Sequence, residues 1–366
     1  MPPAKSLPNA GCRGYPQAVS ITQDRLDLLG DDLRVRSRRR IVVLDTTVLT
    51  TEVISATKRP RPSSLLQALR SGVVRGYMPH HVWAEVPRVL ERRHRDRGGF
   101  DLARAQELWW TAYVPVIYTV STDHLPMSEQ AARLAARDSS DVGSVLLLEA
   151  LAPAALLAED KDLVDTGLAC DLWREVRTAL GLIDSAEETR RGAQMMTNVT
   201  FNGSAVAVRQ AFRGARAHPL LALGIAGLVV AVGVAYERKH PGRIQQYTKE
   251  VVGALVYAVG QAFEEAREQR RSGQEVWRQA EAGQPGTRSV HQVARLLAAR
   301  GPLTRTEILK QLDEVPNGFS HRQLMDDLYR MLRQLPLFSE VSEGRWQVGR
   351  RGVDFGGAIA ARSTAV

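Results

Sequence analysis

Ile41-Val42-Val43-Leu44-Asp45-Thr46-Thr47 decides how this chain is read: an apolar run rich in β-branched residues passes straight into an acid and two hydroxyls. Such a run reads as a strand buried on both faces, and strands buried on both faces belong to parallel sheets. The same figure returns downstream, where Ala154 to Ala158 precedes Glu159-Asp160. Between them the spacing predicts helices at Ser63 to Ser71, Val82 to Arg93, Glu129 to Ala136 and Val142 to Leu151, with another strand at Val114 to Val120. Strands separated by helices imply a parallel sheet covered on both faces, so residues 38–170 are read as one α/β unit. An acid that directly follows a strand then emerges at the strand's carboxyl end, where open α/β sheets place their ligand sites.

Two further acids fall at telling positions. Asp141 opens the apolar helix Val142 to Leu151, where a carboxylate at the N-terminus is favoured, and Asp138 or Ser140 is available as its cap. Glu85 follows Tyr77-Met78-Pro79 in a helix that also contains Pro87. Taken in order, Val43-Leu44-Asp45-Thr46-Thr47-Val48-Leu49, the isolated Glu85, Arg137-Asp138-Ser139-Ser140-Asp141, and Leu157-Ala158-Glu159-Asp160-Lys161-Asp162-Leu163 resemble the successive acidic motifs of PIN-domain nucleases.

That resemblance implies a small α/β/α sandwich with a parallel central sheet. It also implies metal-dependent phosphodiester hydrolysis, usually of RNA and in some branches of DNA flaps. Asp45, Glu85, Asp141 and Asp160 are the residues it marks as catalytic and metal-holding, with Asp138 and Asp162 as substitutes. Mg²⁺ or Mn²⁺ takes hard oxygen ligands, and carboxylates from separate elements can hold one or two ions beside a phosphate, so no protein nucleophile is needed. Thr46 or Thr47 suits a hydrogen bond to a metal-bound water. A toxin-like or defence role with an antitoxin-like partner suits the resemblance, although no antitoxin-binding feature is legible. His80 and His81 precede Glu85 without HExxH spacing and read as surface residues.

Lysine and arginine number 49 against 40 acids, a net charge of +9 that favours anionic partners or reflects an arginine-rich genome. Arg88, Arg92, Arg93, Arg95 and Arg97 form a basic run that follows a phosphate backbone or simply solvates a helix end. Cys12 and Cys170 stand far apart, which supports neither a disulfide framework nor a cysteine zinc site and fits a reducing cytoplasm. No secretory pattern is read at the N-terminus, so a cytoplasmic protein is expected.

Outside the α/β unit, 1–37 reads as a flexible arm, 171–217 as a helical and polar connector, 273–287 as a linker and 351–366 as a tail. Within 218–272 lie an uncharged apolar run from Pro219 to Tyr236 and an amphipathic helix from Ile244 to Arg271. As a helix the run measures about 27 Å, against roughly 30 Å of bilayer hydrocarbon. Its many glycines and alanines leave open a membrane hairpin, a surface-lying helix or a buried helix of a homo-oligomer. A single crossing would set the units on its two sides apart.

Residues 288–350 predict three helices and a hairpin, which resembles a small winged helix-turn-helix domain. There Arg322 at the start of the third helix and Arg345 on the hairpin are the nucleic-acid contacts expected, with Asp326 and Asp327 opposing them. Trp346 reads as a core anchor. The leading expectation is a metal-dependent nuclease with RNA preferred over DNA. The alternative is a non-catalytic nucleic-acid-binding or regulatory protein built on the same scaffold.

Overall fold

A computed structural model describes residues 40–202, 261, 264–282, 288–312 and 320–352. The apolar run 219–236 and the arm 1–37 lie outside the described residues, as does most of the amphipathic stretch from Ile244 to Arg271. The architecture is mixed α/β around a mostly parallel sheet. Its strands are β1 (Arg40–Leu44), β2 (Val74–Pro79), β3 (Ile117–Val120), β4 (Ala155–Leu157) and β5 (Ala169–Cys170). They lie in the order β5-β4-β1-β2-β3, all parallel.

β1 is central and buried, as its branched apolar composition requires. From β1 the chain steps one way to β2 and β3, then returns to β4 and β5 on the other side. The direction of winding therefore reverses between the adjacent strands β1 and β4. Their carboxyl ends flank the crevice that such a reversal opens.

Helices α1 (Thr46–Thr57), α2 (Ser64–Ser71), α3 (His80–Arg97) and α4 (Leu102–Leu108) cover one face, in a core containing Val42, Leu44, Leu49, Leu66, Val86 and Trp109. α5 (Glu129–Ala135) and α6 (Val142–Leu151) cover the other, packing on Ile41, Val43, Tyr77 and Leu156. α7 (Lys161–Val164) links β4 to β5, and α8 (Trp173–Asn202) returns to the first face, where Trp173, Val176 and Leu180 enter the core. Ser63 caps α2, its side chain accepting from Leu66 N, and Gly72 ends it at φ 75° in the left-handed region. Pro87 sits inside α3 and is not its first turn; there it removes one N–H from the helical ladder.

Several expectations need correction. The stretch read as the linker 273–287 is helical as far as 280, within α9 (264–280). α9 lies antiparallel to α8: Arg270 pairs with Glu187 at 3.1 Å, while Trp277 and Ala280 join the core that holds Trp173 and Val176. Val114 to Val120 is a strand only from Ile117, because Val114–Val116 forms a tight turn of helix around Pro115. The tail expected at 351–366 begins one residue early, since Arg350–Arg351 forms β9, antiparallel to β3 at the edge of the main sheet. β2, β5 and α4 had not been read as elements.

The C-terminal part comprises α10 (Ser289–Arg300), β6 (Leu303–Thr304), α11 (Arg305–Gln311), α12 (His321–Gln334), β7 (Phe338–Ser342) and β8 (Arg345–Val348). The short strands form a second sheet in the order β6-β8-β7. Capping boxes start α11 at Thr304 and Glu307, and α12 at Ser320 and Gln323. Trp346 is buried in a core shared with α6 and the main sheet. Arg75 of β2, itself buried, donates to the carbonyls of Leu297 (3.3 Å) and Ala298 (2.6 Å) near the end of α10. Gly349, at φ 65°, lets β8 turn into β9: a Cβ there would lie 2.6 Å from the Thr119 carbonyl oxygen. Among the described residues no helix is long and apolar enough to cross a membrane.

Candidate active site

Asp45 leaves the end of β1 at the crevice. Its backbone N–H donates to Leu157 O at 3.1 Å, which binds the ends of β1 and β4 together. Its Oδ2 caps α1, accepting from Thr47 N at 3.1 Å and Thr47 Oγ1 at 2.8 Å. The side chain is almost wholly buried, and burial raises its pKa, while the Thr47 bonds and nearby His81 act in the opposite direction.

Thr46 reaches the neighbouring element, donating its hydroxyl to Glu85 Oε2 at 2.7 Å. Thr47 accepts from Glu159 N at 2.9 Å. These two threonines fasten the segments after β1, β2 and β4 to one another, a positioning role that the residues alone had not suggested.

Asp141 arrives from the opposite face. It holds the capping position of α6, yet its side chain makes no capping bond and its Oδ2 is buried without a hydrogen-bond partner. Burial pushes this carboxyl up to about 7, and the negative charges of Asp45, Asp160, Asp138 and Glu85 add to the rise in that order. Four acids from four separate segments thus act on one orphaned oxygen's carboxyl group. Neither Asp138 nor Ser140 caps α6: Asp138 Oδ1 instead accepts from Ser140 N (2.7 Å) and Ser140 Oγ (2.6 Å), which hold its pKa below the usual range.

The acids after β4 separate into distinct roles. Asp160 Oδ1 accepts from Asp162 N at 2.8 Å, starting α7, and remains within the field of Asp141. Asp162 is drawn into an ion pair with Arg137, which also approaches Asp165 at 3.6 Å. Glu159 is held by Trp173 Nε1 (2.8 Å), Arg174 (2.7 Å) and the Thr51 hydroxyl (3.1 Å). Of the Glu159-Asp160-Lys161-Asp162 motif, Asp160 alone appears among the charges that raise Asp141.

His81 belongs to this neighbourhood rather than to open surface. Burial lowers its pKa, while Asp45 and Glu85 raise it. Its ring lies against Gly143 in the first turn of α6, where a Cβ would meet His81 Cε1 at 2.9 Å and Thr122 Oγ1 at 3.0 Å. The missing signal was β2: once Val74–Pro79 is a strand, His81 sits just beyond a carboxyl end, as Asp45 does.

Among the described residues no three His, Cys, Asp or Glu side chains are gathered into a ready-made metal-binding group. The donor chemistry nevertheless fits a hard divalent cation: the acids are oxygen donors, their charges oppose one another, and Asp141 Oδ2 lacks any donor. Beside Glu85, a groove of about 390 Å³ runs along α3, lined by Arg88, Val89, Glu91, Arg92 and Arg95. Arg322 is exposed in the first turn of α12, and Arg345 on β8 lies 3.4 Å from Glu307. Neither lines that groove. Compared with protein-family models, curated proteins and solved structures, the chain matches none.

Proposed function

We propose that the protein is a divalent-metal-dependent nuclease of PIN type, with RNA as the preferred substrate, and that its C-terminal part is a winged-helix-like accessory unit. One observation carries the reading: Asp45, Glu85 and Asp160 come from three separate segments towards Asp141 at the strand-reversal crevice, where burial first and then their charges push the Asp141 carboxyl up to about 7. Structural acids on an ordinary surface have no reason to accumulate against one another in this way, because unpaired like charges cost stability.

Asp45, Asp141 and Asp160 would hold Mg²⁺ or Mn²⁺, with Glu85 beside them. When bound, the metal supplies Lewis-acid chemistry, acidifying water and offsetting phosphate charge. The chain's own contribution is positioning. Thr47 fixes the Asp45 carboxylate, Thr46 fixes that of Glu85, and the recessed crevice limits access of bulk water. Metal-free, Asp141 holds its proton up to about neutral pH, so binding a cation displaces that proton.

The test is cleavage of labelled single-stranded RNA and DNA with Mg²⁺ or Mn²⁺, comparing the natural chain with Asp45→Asn and Asp141→Asn. Metal-dependent cutting that falls at least 100-fold in both variants is expected. Equal background from all three folded proteins with both metals would overturn the nuclease reading and favour a non-catalytic scaffold.

A further inference from the structure

The α3 groove has a charge pattern that the acid site alone does not explain. Along a helix, residues three and four apart share a face, and Glu85, Arg88, Arg92 and Arg95 follow that spacing as a single stripe. The stripe begins at Glu85, whose carboxylate is held by Thr46, and ends about 15 Å further along the helix axis. Arg88, Arg92 and Arg95 are exposed, and among the described residues none has an acidic partner.

The other carboxylate of the groove, Glu91, accepts from Gln106 Nε2 at 3.0 Å. Elsewhere exposed arginines are commonly paired: Arg104 with Glu107, Arg133 with Glu129, Arg137 with Asp162, Arg174 with Glu159 and Arg330 with Asp327. Three neighbouring unpaired guanidiniums repel one another and gain when a polyanion lies across them.

We infer that the arginine face of α3 is the track along which a single-stranded nucleic acid leaves the acid site, its phosphates resting on Arg88, Arg92 and Arg95. This rests on the nuclease reading for its direction, and it assigns strand binding to α3 rather than to α12 and the β7–β8 hairpin. Two observations select a single strand over a duplex. Asp45 and Asp141 are recessed, with 3% and 9% of their surface exposed, so a flexible strand that can bend inward reaches them. The successive arginines rise about 4.5 to 6 Å apart along α3, a spacing comparable to that of phosphates in an extended strand. On the C-terminal side, Arg330 and Arg345 are engaged by Asp327 and Glu307.

The experiment measures binding of the full chain to fluorescent oligouridine and oligothymidine in EDTA, where cleavage is silent, over a series of salt concentrations. For single strands, log K falls with log salt by roughly 0.7 per phosphate neutralised. The triple variant Arg88→Gln/Arg92→Gln/Arg95→Gln is expected to lose about 2 from that slope, and roughly 10- to 100-fold in affinity at low salt. The control Arg322→Gln/Arg345→Gln keeps both.

A slope lost in the triple variant and kept in the control supports the track, and tighter binding of one strand chemistry then names the substrate. An unchanged slope in the triple variant, or loss in the control instead, overturns it. Metal-dependent cleavage is assayed separately, so a chain that cuts but binds independently of these arginines would refute the track alone. A chain that binds through them without cutting would refute the nuclease alone.

Discussion

Asp141 is where the energetics of the site concentrate. Its carboxyl titrates near 7 in the folded chain, against an ordinary value of 3.8. The sign follows from proton counting. As pH rises from about 4 to 7 the unfolded chain has released this proton while the folded chain keeps it, so the metal-free protein loses stability over that window and then levels off. Asp141→Asn removes the charge while keeping the shape. In EDTA at pH 8 the variant should therefore melt several degrees above the natural chain, and at pH 4 the difference should vanish. Saturating Mn²⁺ should reverse the order at pH 8. A variant that is no more stable than the parent at pH 8 would show that the repulsion at this carboxyl is not felt.

At the scale of elements, α10, which packs against α6, carries a second titrating group. His291 is buried beside Arg295 and Arg288, and burial first, then those two cations, push its imidazole down to about 4. An unfolded histidine protonates near 6.5, so the contribution is full above that value and declines as pH falls towards 4, by about 3 kcal/mol. On going from pH 7 to pH 4.5 the urea midpoint of the natural chain should fall relative to that of His291→Leu, in which only the opposing Asp141 contribution of this pair remains; the same signed shift in both would sink the assignment. Elements also show what was legible beforehand. β1 was readable because Ile41 to Leu44 is uniformly apolar and branched. β2 was not, since Arg75, Gly76 and Pro79 break the pattern, and Arg75 can be buried only because α10, far along the chain, offers it carbonyls. Losing β2 hid His81. The positions of Asp45 and Asp160 beyond strand ends, and of Asp141 at a helix start, could be read from local pattern. The division of labour between Glu159 and Asp160 could not, because both follow the same strand and Trp173 and Arg174, from a later helix, hold the first.

Across the whole molecule, the C-terminal helices share a core with the second face of the main sheet, and β9 extends that sheet. Arg75 bonds the two parts directly, so Arg75→Met would leave two helix-end carbonyls short of a charged donor and cost about 3 kcal/mol. Tryptophan fluorescence, which reports Trp109 and Trp173 on the first face and Trp346 beyond the second, should still change together with circular dichroism in one shifted transition. An unshifted midpoint would show that the bonds carry no net stability. The antiparallel pair α8 and α9 adds a constraint of a different kind. The chain departs along one helix and comes back along its neighbour, and described residues from before the departure and after the return share the same cores. Such a path is a closed excursion. Because the described elements on either side of it share cores, the acids, the arginine stripe and the C-terminal hairpin all open onto the same compartment.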